Sequence, residues 1–176
     1  MAAERKETKS SATPATKNAP TRLKNALAKL KSDHDGVKKL FDQYEKGKDD
    51  MSAKDKAVMV AKICGELTVH AQIEEEIFYP AIREVQDEDL EELLDEAEVE
   101  HAGAKDLIAQ LESAKPEDPL YDAKVTVLGE QIKHHAGEEE DEMFPKVRKV
   151  KELDLDELGA MLEQRSEALK AELKLK

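Results

Sequence analysis

The sequence predicts an all-α fold, an up-down antiparallel four-helix bundle with an extra C-terminal helix. Three observations predict it. Strong helix formers dominate from residue 21 onward, and β-branched runs closed by turn dipeptides such as Asn-Gly are missing. Four successive stretches repeat apolar residues at steps of three and four, which places each set on one helix face. The connections are short, so consecutive helices become antiparallel neighbours. At 176 residues the chain suits one such domain, able to bury roughly two-thirds of its unfolded surface.

Residues 1–20 are rich in Ala, Thr, Ser, Lys and Pro without apolar periodicity, and read as a disordered arm. The bundle is expected over 21–150. Its first stripe is Leu23, Leu27, Leu30, His34, Val37, Phe41, Tyr44, and Gly47 to Met51 breaks that helix. Ser52 and Asp55 resemble a capping box opening the second stripe: Val60, Ile63, Leu67, His70, Glu74, Ile77, Ala81. Asp87 can cap the third: Leu90, Leu94, Ala97, His101, Ala104, Ile108, Leu111. Asp118-Pro119 places a cap and a first-turn proline before the fourth: Val125, Leu128, Ile132, His135, Glu139, Met143. Residues 151–176 carry Leu155, Leu158, Leu162, Leu169 and Leu173, a helix expected to pack across the bundle.

Composition narrows the function. A net charge of −13 argues against nucleic-acid phosphates as partners. One cysteine excludes a disulfide framework and a Cys-based zinc or iron–sulfur site, and is compatible with a reducing cytoplasmic setting. No run approaches the ~20 apolar residues of a membrane helix, and no secretory apolar segment is found.

The chain repeats itself. Residues 33–45 match 100–112 at His, Gly, Lys, Leu, Gln and Glu. Residues 70–80 match 135–145 at His, Ala, two glutamates, an aromatic (Phe78 or Tyr79 against Phe144) and a proline. Two related helical hairpins follow, each supplying one lone histidine and one His-x-x-x-Glu. An approximate twofold axis would bring all six groups to one level of the core.

Those six groups are His34, His70, Glu74, His101, His135 and Glu139, and all fall on apolar stripes. Burying an ionised carboxylate costs several kcal/mol even after relaxation. Two close together repel, and one is driven to protonate. A bound cation reverses that balance. His-x-x-x-Glu puts both side chains on one face, one turn apart. Four imidazoles with two carboxylates suit iron, with manganese as the alternative, and two carboxylates can bridge two metals.

The neighbours sort less sharply. His134 lies about 100° round the helix from His135 and reads as peripheral, despite its i,i+4 partner Glu138. Glu75 and Glu140 read as solvated or as outer groups orienting the ligands. Glu66 and Glu130 are weaker candidates for that outer role. Gly36, Gly103 and Gly137 suggest close packing near the site, or room for a small ligand. Pro80 and Pro145 are expected to end or kink their helices. Cys64 reads as a buried spacer.

At these residues the chain resembles the hemerythrin family, specifically the bacterial HHE cation-binding type. The resemblance covers roughly 22–148. It rests on His34, on His70 and Glu74 running into Phe78-Tyr79-Pro80, on Glu100-His101, and on His135 and Glu139 running into Phe144-Pro145. It implies a four-helix bundle around two non-haem irons, oxo- or hydroxo-bridged, with Glu74 and Glu139 bridging and the four histidines terminal. Oxygen carriers of the family place a further histidine where this chain has Lys105, and an aspartate where it has Glu140. Some HHE proteins also carry a fifth histidine between the first two ligand positions, and residues 35–69 contain none. Fewer imidazoles leave more open coordination positions. That favours binding or sensing of O2, NO or iron over reversible oxygen carriage. The alternatives are an enzyme acting on peroxide or nitric oxide or repairing metal clusters, and a metal-free interaction bundle that would leave charges in its core.

Overall fold

The computed structural model describes residues 25–175. Leu23 and the arm expected over 1–20 lie outside the described residues. Helix α1 spans Ala26–Gly47 and α2 Ala53–Ile73. A π-helical turn, Glu74–Phe78, carries α2 into α3, Tyr79–Arg83. Helix α4 spans Glu88–Ser113 and α5 Tyr121–Glu138. A second π turn, Glu139–Met143, leads into α6, Phe144–Val147, and α7 spans Leu155–Glu172. Among the described residues there is no strand. None of the helices is long and apolar enough to cross a membrane.

Local chemistry sets the helix starts. The Asn25, Ser52, Asp87 and Asp154 side chains each accept from backbone N–H groups of the first turn that would otherwise be unpaired. Asp118 departs from the expectation. Its carboxylate accepts from Lys115 N at 2.8 Å and is spent on the preceding turn, so α5 starts at Tyr121 without a side-chain cap.

Helices α1, α2, α4 and α5 close a four-membered ring of contacts, the expected bundle, and α7 packs against α1 and α2. Leu158, Leu162 and Leu169 of α7 join the same core cluster as Leu27, Leu30 and Ile73. Each buried leucine contributes roughly 2 kcal/mol. Polar contacts fix the docking register of α7: Arg165 forks onto Glu76 at 2.6 and 3.1 Å, and Lys170 meets Glu66 at 2.8 Å. Glu66 thus serves α7 and has no role at the histidines.

The third and fourth stripes are buried as read from the sequence. The second is corrected past Glu74. Ile77 and Ala81 are only half-buried, while Phe78 and Ile82 face the core. The π turn adds one residue, with Tyr79 N–H bonding to Glu74 O five residues back, and shifts the inward face by one. Phe144 N–H does the same with Glu139 O. Pro80 and Pro145, one residue further on, lack an N–H and crowd the preceding turn. The wider turn absorbs them, so the helices run on to Arg83 and Val147 instead of ending.

Two apolar layers fill the bundle. One gathers Phe78, Leu94, Phe144 and the α7 leucines, and the other Phe41, Ile63, Leu67, Ile108 and Leu128. The polar groups singled out by the sequence lie between them.

Candidate metal centre

His34 from α1, His70 from α2, His101 from α4 and His135 from α5 are all buried. Glu74 and Glu139 open the two π turns and are 0% and 1% exposed. The structure therefore brings all six sequence-predicted residues together. Their donor atoms form two groups that share Glu74: His34, His70, Glu74 and Glu139, and then Glu74, His101 and His135. Within each group the atoms lie within 4.8 Å of one another.

The imidazoles are aimed by carboxylates from neighbouring helices. His34 Nδ1 donates to Glu140 at 2.9 Å, His101 Nδ1 to Glu75 at 2.9 Å, and His135 Nδ1 to Glu100 at 2.8 Å. Asp33 stands 3.6 Å from His70 Nδ1 and is held by Lys29. Since an ionised carboxylate only accepts, each bonded Nδ1 carries the proton and each Nε2 turns a lone pair inward. The supporting acids run round the bundle in one direction, Asp33 to α2, Glu75 to α4, Glu100 to α5 and Glu140 back to α1. Glu75 and Glu140 thus take the outer role read for them. Asp33 and Glu100 were missed. The available signal was an acid immediately before His34 and before His101 in both repeats.

Acceptors consequently face acceptors. His101 Nε2 and His135 Nε2 stand 3.2 Å apart. His34 Nε2 lies 3.2 Å from Glu139 Oε2; His70 differs, because its raised imidazole keeps a proton on Nε2, 3.2 Å from Glu74 Oε1, where a cation would take that proton's place. All four of these last atoms are buried without a hydrogen-bond partner. Orphaned buried polar atoms cost roughly 1–3 kcal/mol each, and more when charged. A shared cation removes that cost, so the residues present fit one.

The electrostatics agree. Burial opposes ionisation of Glu74, but the charge of His70 beside it holds its carboxyl well below the ordinary range. Burial also pushes Glu140 upward, yet Lys31, Lys38 and His34 outweigh it and bring the carboxyl down to about 2. Lys105, standing where oxygen carriers have a ligand, instead binds both oxygens of Glu75 at 2.6 Å.

One inward donor escaped the sequence reading. Tyr79 Oη donates to Glu139 Oε1 at 2.8 Å and lies 3.4 Å from His101 Nε2. Burial, with Glu74 and Glu139 nearby, raises its hydroxyl well above the ordinary value and keeps the proton on. Its repeat counterpart is Phe144, which stacks on His34 as Tyr79 packs on His101. Phe144 has no hydroxyl, so the twofold symmetry is broken at this pair.

A cavity of about 190 Å³ reaches all four histidines, walled by Leu67, Ala104, Ile108 and Ile132. A larger hollow, about 400 Å³, borders Cys64, Gly65, Leu173 and Leu175 instead. Cys64 is buried there and its thiol is pushed up to about 12, in keeping with a spacer. Close packing at Gly36, Gly103 and Gly137 is not found. A Cβ would meet nothing within 4 Å at Gly36 or Gly137, and only Gln131 Oε1 at 3.8 Å at Gly103.

Comparison with known proteins agrees with this fold. A solved structure, a hemerythrin HHE cation binding domain-containing protein from Mycobacterium kansasii, superposes with a TM-score of 0.69 at 24% identity. The match covers 85% of this chain and 89% of that one, and shows the shared fold. A curated relative, a DNA nickase from Nostoc sp. (strain PCC 7120), is 29% identical over 120 residues. Those residues are 68% of this chain, which spans about a third (32%) of the relative's length. The hemerythrin HHE cation binding domain family matches residues 25–147. That match spans more than half of the sequence, and this chain belongs to the hemerythrin HHE cation binding domain family.

Proposed function

We propose that this chain is a non-haem di-iron protein that binds or senses a small ligand, O2 or NO, or iron itself. The observation that supports it most is the set of unpartnered imidazole and carboxylate atoms meeting at about 3.2 Å between two apolar layers. His34, His70, Glu74, His101, His135 and Glu139 would hold the metal, with Glu74 common to both donor groups. The iron pair would supply electrons and open coordination positions to the ligand. The chain's own residues do the rest. Asp33, Glu75, Glu100 and Glu140 orient the imidazoles. Tyr79 fixes one oxygen of Glu139, leaving the other toward His34. The apolar cavity admits a small uncharged molecule and disfavours water.

Metal analysis of protein made in iron-replete cells tests this. Two irons per chain, lost in His70→Ala, support the proposal. A metal-free wild type that melts where His70→Ala melts would sink it. The cavity ending on all four histidines favours a second reading, turnover of peroxide or nitric oxide, which steady-state assays of the iron-loaded protein separate from binding. The −13 charge supports a protein without a nucleic-acid partner, which a supercoiled-plasmid nicking assay checks, and the single cysteine is compatible with a cytoplasmic setting.

A further inference from the structure

A third group of donors lies on the outer face of α4 and α5, apart from the buried centre. His134 Nε2 is 3.1 Å from Glu138 Oε1, one turn along its own helix, and 3.5 Å from Glu100 Oε1 across on α4. The three donor atoms lie within 4.8 Å of one another. His134 is 66% exposed in its side chain, so the group opens to water. Glu100 is held in place, because its other oxygen accepts from His135 Nδ1 at 2.8 Å. Its outward oxygen is therefore presented at a set position.

The internal repeat does not explain these residues. Sixty-five residues earlier, the places of His134 and Glu138 are taken by Val69 and Ile73, both buried in the cluster that receives the α7 leucines. On α5 the same two positions carry an exposed imidazole and a half-buried carboxylate. The second hairpin thus has metal-ligating groups where the first has a helix-docking surface.

We propose that Glu100, His134 and Glu138 form a third, exposed cation site, selective for a divalent transition ion over Mg2+ or Ca2+. One imidazole with two carboxylates suits Zn2+, Fe2+ or Co2+, whereas hard cations take oxygen donors alone. Three protein ligands leave the remaining positions to water, as in open zinc sites. This inference goes beyond the proposed di-iron function and shares only Glu100 with it, whose other oxygen orients His135.

Cobalt titration tests it. Protein already loaded with iron is titrated with Co2+ in the presence of excess Mg2+, following cobalt absorbance and heat. Wild type should take up one equivalent with iron content unchanged. His134→Ala and Glu138→Gln should each weaken that uptake more than about tenfold while retaining iron and melting temperature. His134→Lys places a permanent positive charge facing the two carboxylates and should still lose the cobalt. Absence of the extra equivalent in wild type overturns the proposal, as does its persistence in His134→Ala or His134→Lys. Iron content, read on the same samples, reports separately on the buried centre. If His134→Ala fails to fold, Glu138→Gln alone decides.

Discussion

Cation loading of the buried centre should expel a proton from His70, so affinity should climb with pH. Burial lowers the proton affinity of the His70 imidazole, but the Glu74 carboxylate 3.2 Å from Nε2 and Asp33 beyond Nδ1 outweigh it. The imidazole is pushed up to about 10. A cation bound through Nε2 must displace that proton. At pH 7 the protonated ring then dominates by about three powers of ten, which withholds ~4 kcal/mol of cation affinity relative to pH 10. The sign for the cation-free fold is opposite. A raised value stabilises below the ordinary 6.5, and the contribution fades as pH rises through about 10. Calorimetric Co2+ titrations at three pH values across the neutral range, in two buffers of different ionisation enthalpy, count the protons directly. Each pH unit should strengthen binding about tenfold with about one proton released. Asp33→Asn should move the upper end of this slope to lower pH. Affinity independent of pH, with no proton released in wild type, refutes an imidazolium–carboxylate pair as the resting state.

Other substitutions probe the remaining features. Tyr79→Phe leaves Glu139 Oε1 buried without its donor and should cost roughly 1–3 kcal/mol in the cation-free protein, read by chemical denaturation, and shift the visible spectrum of the iron form. Gly36→Ala meets open space and Gly103→Ala only an ordinary contact with Gln131 Oε1 at 3.8 Å, so each should stabilise by about 1 kcal/mol, whereas Gly65→Ala places its Cβ 2.5 Å from Leu175 Cδ2 and should stabilise less or loosen the C-terminus. Glu140, depressed to about 2, contributes stability above its ordinary 4.5 that is lost as pH falls toward 2. Acid titration of melting temperature should show that loss, and Glu140→Gln should flatten it.

The fold and the six inward donors were legible because both are one-dimensional signals. A 3.6-residue period assigns each helix a face, and His34, His101 and the two His-x-x-x-Glu pairs sit on those faces twice over. The charge of −13 said nothing of this; what mattered was that Glu74 and Glu139 interrupt apolar stripes. The stripe failed where the period itself changed, at the π turns, and so Ile77 was expected in the place of Phe78.

By itself, then, the sequence determined the bundle, its extra helix and the histidine–glutamate set, since helical periodicity and repetition are properties of a linear text. Only the tertiary structure decided which acid supports which histidine, because every one of those pairs joins two different helices. It decided likewise that Tyr79 rather than Phe78 points at Glu139, a consequence of one added residue in the turn. And it set α7 against α1 and α2, burying Val69 and Ile73 there while leaving His134 exposed and Glu138 half-buried on the opposite hairpin. Docking of one helix face on another depends on shape and side-chain reach in three dimensions, which no local pattern encodes.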